Sequence, residues 1–306
     1  MTYLQDQVYQ REGELRYYAH KNDFVDTESF IFSCKQDPNL ALSILRSAEL
    51  DNEEKINIVL NSVLKKGNIG LVIGRKGSGK SVFLYWVMKT LNQLNINRPV
   101  QIYKEFKKYN MAENIYSLKQ IKQFSVLLID ELGIKFPARD SASESNKLLQ
   151  KLLVLIRHKD MSVISTVQNS KLGDINVYRL SDYMIYNELS PKQIETEREN
   201  SLSELDLFFV NMLDMNNSPS LTYFTNGTYS FLFEMPFFED YDSKQYENID
   251  FSNEEKEVYE FIEGSKIEGN SLFQIYQDLA LYGLEVKYKS TKPKTLTLPN
   301  GDEVYE

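Results

Sequence analysis

Residues 74–81 read Gly-Arg-Lys-Gly-Ser-Gly-Lys-Ser, the pattern G-x-x-x-x-G-K-[ST] in full. Those residue types at that spacing make a cradle for a polyphosphate. Gly74, Gly77 and Gly79 let the backbone curl so that its N–H groups point inward at phosphate oxygens, and a helix N-terminus adds partial positive charge at the same place. Lys80 can reach the β- and γ-phosphates, and the Ser81 hydroxyl can ligate Mg²⁺. The whole stretch (Gly74, Arg75, Lys76, Gly77, Ser78, Gly79, Lys80, Ser81) is therefore the candidate nucleotide-binding loop, with ATP and Mg²⁺ as the expected cofactors. An apolar, β-branched run at 69–73 precedes it, and apolar residues at helical spacing over 81–94 follow it. Strand, glycine loop and helix are the context such a loop requires.

Three further signals bear on chemistry. Residues 125–131 form an apolar strand ending in Asp130-Glu131. The first acid suits Mg²⁺; the second can take a proton from an attacking water as general base. Gln168 ends the apolar run 162–167, where an amide can touch the γ-phosphate or the attacking water if that strand lies beside the first. Arg157 stands at the end of the helix before that run. Arginine stabilises the spread charge of phosphoryl transfer, and a neighbouring subunit can supply it. The competing account of Arg157 is that a cation there complements the helix dipole. Arg139 and Arg179 are the other candidates for the same role.

Taken together, these residues resemble the FtsK/HerA-like branch of the RecA-like P-loop ATPases, nearest to the genome-packaging ATPases of membrane-containing archaeal and bacterial viruses. The resemblance covers roughly residues 67–238. It rests on the Walker A loop 74–81 and the Walker B strand 127–131 with the Phe136/Arg139 segment after it. It also rests on Arg157-His158 before a strand, on Thr166-Val167-Gln168, on Tyr178–Asp182, and on the ending 231–238. It implies an α/β fold with a RecA-like core of the additional-strand (ASCE) type, a hexameric ring, ATP hydrolysis between subunits, and double-stranded DNA moved through the centre. A viral capsid or membrane protein is a further implied partner.

The elements that must position these residues alternate between strand and helix. Strands are expected at 69–73, 100–103, 126–129, 162–167 and 183–186, and helices at 81–94 and 143–158. Ser190-Pro191 opens another helix with proline at its first position. Such alternation argues for a mainly parallel sheet with helices on both faces. Residues 221–233 read as a β-hairpin with a two-residue type I′ turn at Asn226-Gly227. Three regions follow: a helical lead-in over 1–65, with helices at 37–45 and 52–64; the ATPase domain over 66–238; and an acidic linker with a small helical or winged-helix module over 239–306. In that last region, helices are expected from Ser252 and Ser271 and a hairpin at Asn300-Gly301.

The chain has 306 residues, net charge −9 and 42% hydrophobic residues, ordinary for a soluble globular protein. It contains no apolar run long enough to span a membrane and no signal-peptide layout at its start. Cys34 is the only cysteine, so no disulfide can close within the chain and an inert thiol in a reducing cytoplasm is expected, of a host or in association with a virion. An acidic chain cannot coat nucleic acid with its whole surface. A local patch would have to serve, and Lys104, Lys107, Lys108, Lys119 and Lys122 are the candidates, with Lys287–Lys294 next. Two other functions fit a phosphate loop. One is a nucleotide-dependent replication initiator or loader that binds DNA. The other is a phage assembly or secretion ATPase that remodels protein.

Overall fold

A computed structural model describes residues 3–22, 24, 26–104, 109–136, 144–168, 175–196, 202–216 and 220–236, and three strands within 287–305. Five helices come first: α1 (Tyr3–Gln10), α2 (Glu12–Lys21), α3 (Thr27–Gln36), α4 (Pro38–Ser47) and α5 (Asn52–Leu64). Aspartates start the last three. Asp26 accepts from the Ser29 N–H at 2.9 Å, and Asp37 from the Leu40 N–H at 3.0 Å ahead of Pro38. Asp51 and Glu54 form a reciprocal capping box. Each such cap stabilises its helix by about 1 kcal/mol. Of these helices, α4 and α5 fall where the sequence places them; α1 to α3 are additional.

The sheet follows. In chain order the elements are β1 (Ile69–Ile73), α6 (Lys80–Gln93), β2 (Val100–Tyr103), β3 (Glu113–Ile115), β4 (Val126–Ile129), α7 (Leu132–Lys135), α8 (Glu144–His158), β5 (Ser162–Val167), α9 (Ile175–Leu180), β6 (Tyr183–Tyr186), α10 (Pro191–Thr196), α11 (Glu204–Asn216), β7 (Leu221–Thr225) and β8 (Ser230–Glu234). All five strands expected across the core are present, and β3 joins them. Eight strands pair in the order β3-β2-β4-β5-β1-β6-β7-β8. The first six run parallel, and β7 and β8 close the far edge antiparallel. The fold is the expected α/β architecture with a mainly parallel sheet.

Both faces of the sheet are buried, which is why its strands read as continuous apolar runs. Leu71, Ile73, Leu127, Ile129 and Val163 face one apolar cluster; Val72, Val126, Leu128 and Ile164 face the other. The lead-in helices are part of this core: Val8, Leu15, Phe30 and Ile44 share the first cluster with β1 and β4. Cys34 lies in it too, where burial pushes its thiol up to about 12. That agrees with an inert cysteine. The Arg98 guanidinium donates to the carbonyls of Leu64, Phe124 and Ser125, fastening the end of α5 to the start of β4.

One sequence expectation needs correction. The β7–β8 turn is longer than a two-residue loop, because Thr225 pairs with Ser230. The Asn226 side chain accepts from the N–H groups of both Thr228 and Tyr229, which holds a wider turn with Gly227 at φ 75°. Near the C-terminus, β9 (Lys287–Lys289), β10 (Thr295–Thr297) and β11 (Glu303–Tyr305) form a separate antiparallel sheet. β10 and β11 flank Asn300-Gly301 as a hairpin there requires, while β9 includes part of the lysine-rich segment. The helices expected from Ser252 and Ser271 lie outside the described residues.

Gly70 generates a test of the sheet's packing. It pairs with Tyr183 across β1 and β6, and a Cβ at Gly70 would overlap the fully buried Tyr183 ring. Gly70→Ala should cost about 1–3 kcal/mol, the usual effect of overpacking, read as a lower urea midpoint. Gly70→Ala/Tyr183→Leu should lose less than the two single losses together. Strictly additive losses would show that the ring does not occupy the glycine's space.

Candidate functional site

The site forms at the C-terminal ends of the parallel strands. β1 delivers Ile73 to the loop, and α6 begins at Lys80 with Gly79 as its left-handed N-cap at φ 95°. Gly77 also has positive φ, at 81°. Gly74 is required for a different reason. A Cβ there would lie 2.9 Å from the Cβ of Asn187 and would run into the Ser78 hydroxyl. Arg75, Lys76 and Gly77 are exposed at the lip of the loop, while Ser78 and Lys80 are buried within it.

Lys80 is only 5% exposed. Its Nζ donates to the carbonyls of Gly74 and Arg75, each at 3.0 Å, and lies 3.9 Å from Glu131 Oε1. Burial lowers the pKa of Lys80, with the Glu131 and Asp130 charges opposing that shift. Burial likewise raises the pKa of Glu131, with Lys80 opposing. The two charges thus stabilise each other in a place that disfavours both.

Strand order assembles the rest. β5 pairs with β1 on one side and with β4 on the other. This inserted strand meets the condition the sequence set for Gln168, and it is the order expected of an additional-strand core. Asp130 ends β4 and accepts a hydroxyl hydrogen on each carboxylate oxygen, from Ser81 at 2.9 Å and from Thr166 of β5 at 2.6 Å. The Thr166 hydroxyl oxygen accepts from the Glu131 N–H at 2.8 Å. This holds Glu131 in a left-handed conformation, φ 52°, which turns its side chain back over the loop at the start of α7. The Gln168 Nε2 donates to Glu131 Oε1 at 3.4 Å.

Lys80, Ser81, Asp130, Glu131 and Gln168 are therefore brought together. These residues fit Mg²⁺ with a nucleotide. The loop can close against Ser78 and Asn187 only because Gly74 lacks a side chain; a lysine is held inside it, and a hydroxyl and a carboxylate stand paired at its exit. Ser81 and Asp130 are the groups that could hold the metal, which binds through few protein oxygens and keeps several waters.

Arg157 is not brought to the site. It is exposed at the end of α8 and lines a groove of about 480 Å³ with Gly67, Ile69, Leu180 and Asp182, at the opposite end of β1 from the loop. Arg179 is exposed on α9, the helix that ends at Leu180 in that groove. Arg139 lies outside the described residues. Among the candidate DNA-contacting lysines, Lys104 requires correction. It is 6% exposed, with its Nζ 5.5 Å from the centre of the Tyr103 ring, so it does not project from the sheet edge. Lys119 is exposed, Lys122 pairs with Glu113 at 2.8 Å, and Lys107 and Lys108 lie outside the described residues.

Sequence reasoning missed four contributors. Thr166 was visible, two residues before Gln168 and so on the same strand face. Glu188 pairs with Arg75, and its carbonyl accepts from the Arg75 N–H at 2.9 Å. Gln193 exchanges capping bonds with Ser190 and donates to the Gln168 carbonyl at 2.9 Å. Asn187 lies against Gly74. For Glu188 and Asn187 the sequence carries no signal, since only the pairing of β6 with β1 sets them beside the loop.

No family model matches the chain, and no curated protein matches it. Among solved structures it is similar to B204, the DNA-packaging ATPase from Sulfolobus Turreted Icosahedral Virus, with a TM-score of 0.43 and 16% identity, covering 56% of this chain and 100% of that one. The genome packaging NTPase B204 from Sulfolobus turreted icosahedral virus 2, in complex with ATP-gammaS, gives 0.42 and 14%, covering 56% and 98%. The N-terminal domain of zonular occludens toxin from Neisseria meningitidis gives 0.34 and 17%, covering 60% and 98%.

The raised pKa of Glu131 predicts a pH-dependent stability difference. The folded state holds the Glu131 proton more tightly than the unfolded chain does. The resulting stability is fully present below the ordinary glutamate value of 4.5 and is lost as pH rises through the raised one. Glutamine does not titrate. Glu131→Gln should therefore melt above wild type at about pH 7.5 and converge with it below about pH 4.5. A constant offset across that range would show that Glu131 ionises without penalty.

Proposed function

We propose that the chain hydrolyses ATP at this site and that subunits of a ring couple hydrolysis to the movement of double-stranded DNA. The observation that carries the hydrolytic reading is the Asp130 carboxylate joining Ser81 to Thr166, with Glu131, Lys80 and Gln168 around it. A phosphate loop alone serves switches and kinases as well. A second, half-buried carboxylate with a raised pKa, facing the loop lysine, suits proton abstraction from water.

The residues divide the work as follows. Loop N–H groups and Lys80 bind and orient the phosphates. Ser81 and Asp130 would hold Mg²⁺, which would supply charge neutralisation to the phosphates. Glu131 takes the proton of the attacking water on its carboxylate, and its burial makes it a stronger base than an exposed glutamate. Gln168 fixes the orientation of Glu131 through the Oε1 contact. Arg157 is held away from its own chain's loop, and its exposure suits a role in a neighbour's site.

The ring and the DNA reading draw support from that position of Arg157 and from the sequence resemblance. The lysines left for a DNA patch are Lys119 and Lys122, with Lys107, Lys108 and the Lys287–Lys294 segment. A loader or a protein-remodelling ATPase would share the site and differ in its response to DNA.

Lys80→Ala should abolish hydrolysis, and Arg157→Ala should bind ATP while hydrolysing it poorly. Mixed rings of the two variants should recover part of the activity, since each supplies what the other lacks at a shared interface. No recovery in rings shown to be mixed would assign Arg157 to the helix end alone.

Duplex DNA should raise the ATPase rate of wild type, and that stimulation should fade with salt as phosphate contacts do. A rate indifferent to DNA on material of measured oligomeric state would favour protein remodelling, and stimulation without movement along a duplex would favour a loader.

A further inference from the structure

Asn187 follows β6 directly. Its N–H donates to the Ile73 carbonyl at 2.8 Å, a rung between β6 and β1 where β1 becomes the phosphate loop. Its side chain is fully buried, and neither Nδ2 nor Oδ1 has a hydrogen-bond partner. Buried amides are nearly always paired, so an orphan of this kind calls for an explanation. The Ser78 hydroxyl is likewise buried and unpartnered. Both side chains abut the same place, the missing side chain of Gly74. Ser165 Oγ and Tyr183 Oη, elsewhere among the described residues, are single atoms.

The loop carbonyls are in the opposite condition. Gly74 and Arg75 each receive a charged donor from Lys80 Nζ at 3.0 Å. A bound polyphosphate competes for that same ammonium. Once Lys80 turns toward phosphate oxygens, the buried Gly74 carbonyl loses its donor, and the side chain of Asn187, with its Nδ2 unpaired, already abuts that residue through its Cβ.

We propose that Asn187 is a positioning residue of the nucleotide site: its Nδ2 replaces Lys80 as donor to the Gly74 carbonyl, and its Oδ1 accepts the Ser78 hydroxyl, when nucleotide engages Lys80. The exchange balances. One N–H···O bond to Gly74 is lost and one is gained, and the two orphaned side chains find partners only in the bound form. Asn187 thereby lowers the cost of withdrawing Lys80 from the loop. The inference rests on reading residues 74–81 as a nucleotide loop and deepens that reading.

Valine and threonine at position 187 share a shape and differ by one hydroxyl donor. Asn187→Val should melt at or above wild type without nucleotide, since it removes two unpaired groups, yet bind Mg·ATPγS about tenfold more weakly by calorimetry. Asn187→Thr should stay within about threefold of wild type, because its hydroxyl can still donate. Equal affinities for Asn187→Val and Asn187→Thr would overturn the donor role, whether both match wild type or both are weakened. Should Asn187→Val fail to fold, Asn187→Ala against Asn187→Ser makes the same comparison with the same two outcomes. Wild type that binds no Mg·ATPγS would overturn the nucleotide reading and this inference with it. Wild type that binds, with no difference between the paired variants, would overturn this inference alone.

Discussion

The Asp130 carboxylate accepts one hydroxyl on each oxygen, and the two hydroxyls come from elements that no local interaction could bring together. Ser81 lies in the first turn of α6, Thr166 lies on β5, and Asp130 ends β4. The bridge exists only because β5 is inserted between β4 and β1, so that three strand ends converge on the loop. The placement of Glu131 follows from it. The Thr166 hydroxyl that donates to Asp130 also accepts from the Glu131 N–H, which sets the backbone turn that carries Glu131 back toward Lys80. An aspartate so placed loses freedom to rotate and leaves Ser81 aimed at the mouth of the loop.

Around that bridge the site is held in a condition its groups do not favour singly. Lys80 is buried and Glu131 half-buried, and burial moves each toward its neutral form. Neither can leave without exposing the other to the same penalty, which is why the pair lies at 3.9 Å despite the loop carbonyls competing for the lysine. The segment after β6 supports the opposite wall. Asn187 continues the ladder from β6, Glu188 pairs with Arg75, and Gln193 reaches the Gln168 carbonyl, so one short stretch of chain touches both the loop and the residue that donates to Glu131. Hydrogen bonds in such a connected, poorly solvated network reinforce one another.

Much of this is legible in the sequence alone. The strand, glycine loop and helix context located β1 and α6 within a residue, and the apolar run ending in Asp130-Glu131 located β4. Those signals are local: a glycine pattern, a burial pattern, a pair of acids. The chain's remaining surprises are non-local. α1 to α3 bury their apolar residues against α4 and α11, and that depends on tertiary partners rather than on a strong amphipathic period. β3 is three residues long and owes its pairing to β2. Lys104 read as part of a charged loop, but it sits at the end of β2 with positive φ and is covered. A charge run in sequence says which residues are polar and not which of them reach solvent. Asn226-Gly227 pointed to a tight turn, and the side chain of Asn226 instead satisfied two backbone donors and widened it.

The edges of the sheet constrain how copies of this chain could meet. An open strand edge invites strand addition, and the β8 edge is closed by the lead-in helices. The Asn52 side-chain amide donates to the Glu234 carbonyl and accepts from the Glu234 N–H, both at 2.9 Å, pairing with that edge as a strand would. Ser43 and Ser47 bond the hydroxyl and the N–H of Ser230 further along. At the other edge β3 offers only three residues. Assembly by sheet extension is thus disfavoured at both ends, and a ring of the kind proposed must be built from side chains on the sheet's rims. One rim carries the phosphate loop and its two acids. The other carries Arg157 beside the exposed Val154 and Leu180, a basic and partly apolar surface. A single chain separates these two rims by the length of its strands. Only a second chain, turned so that one rim faces the other, could place Arg157 beside the site that Asp130 organises.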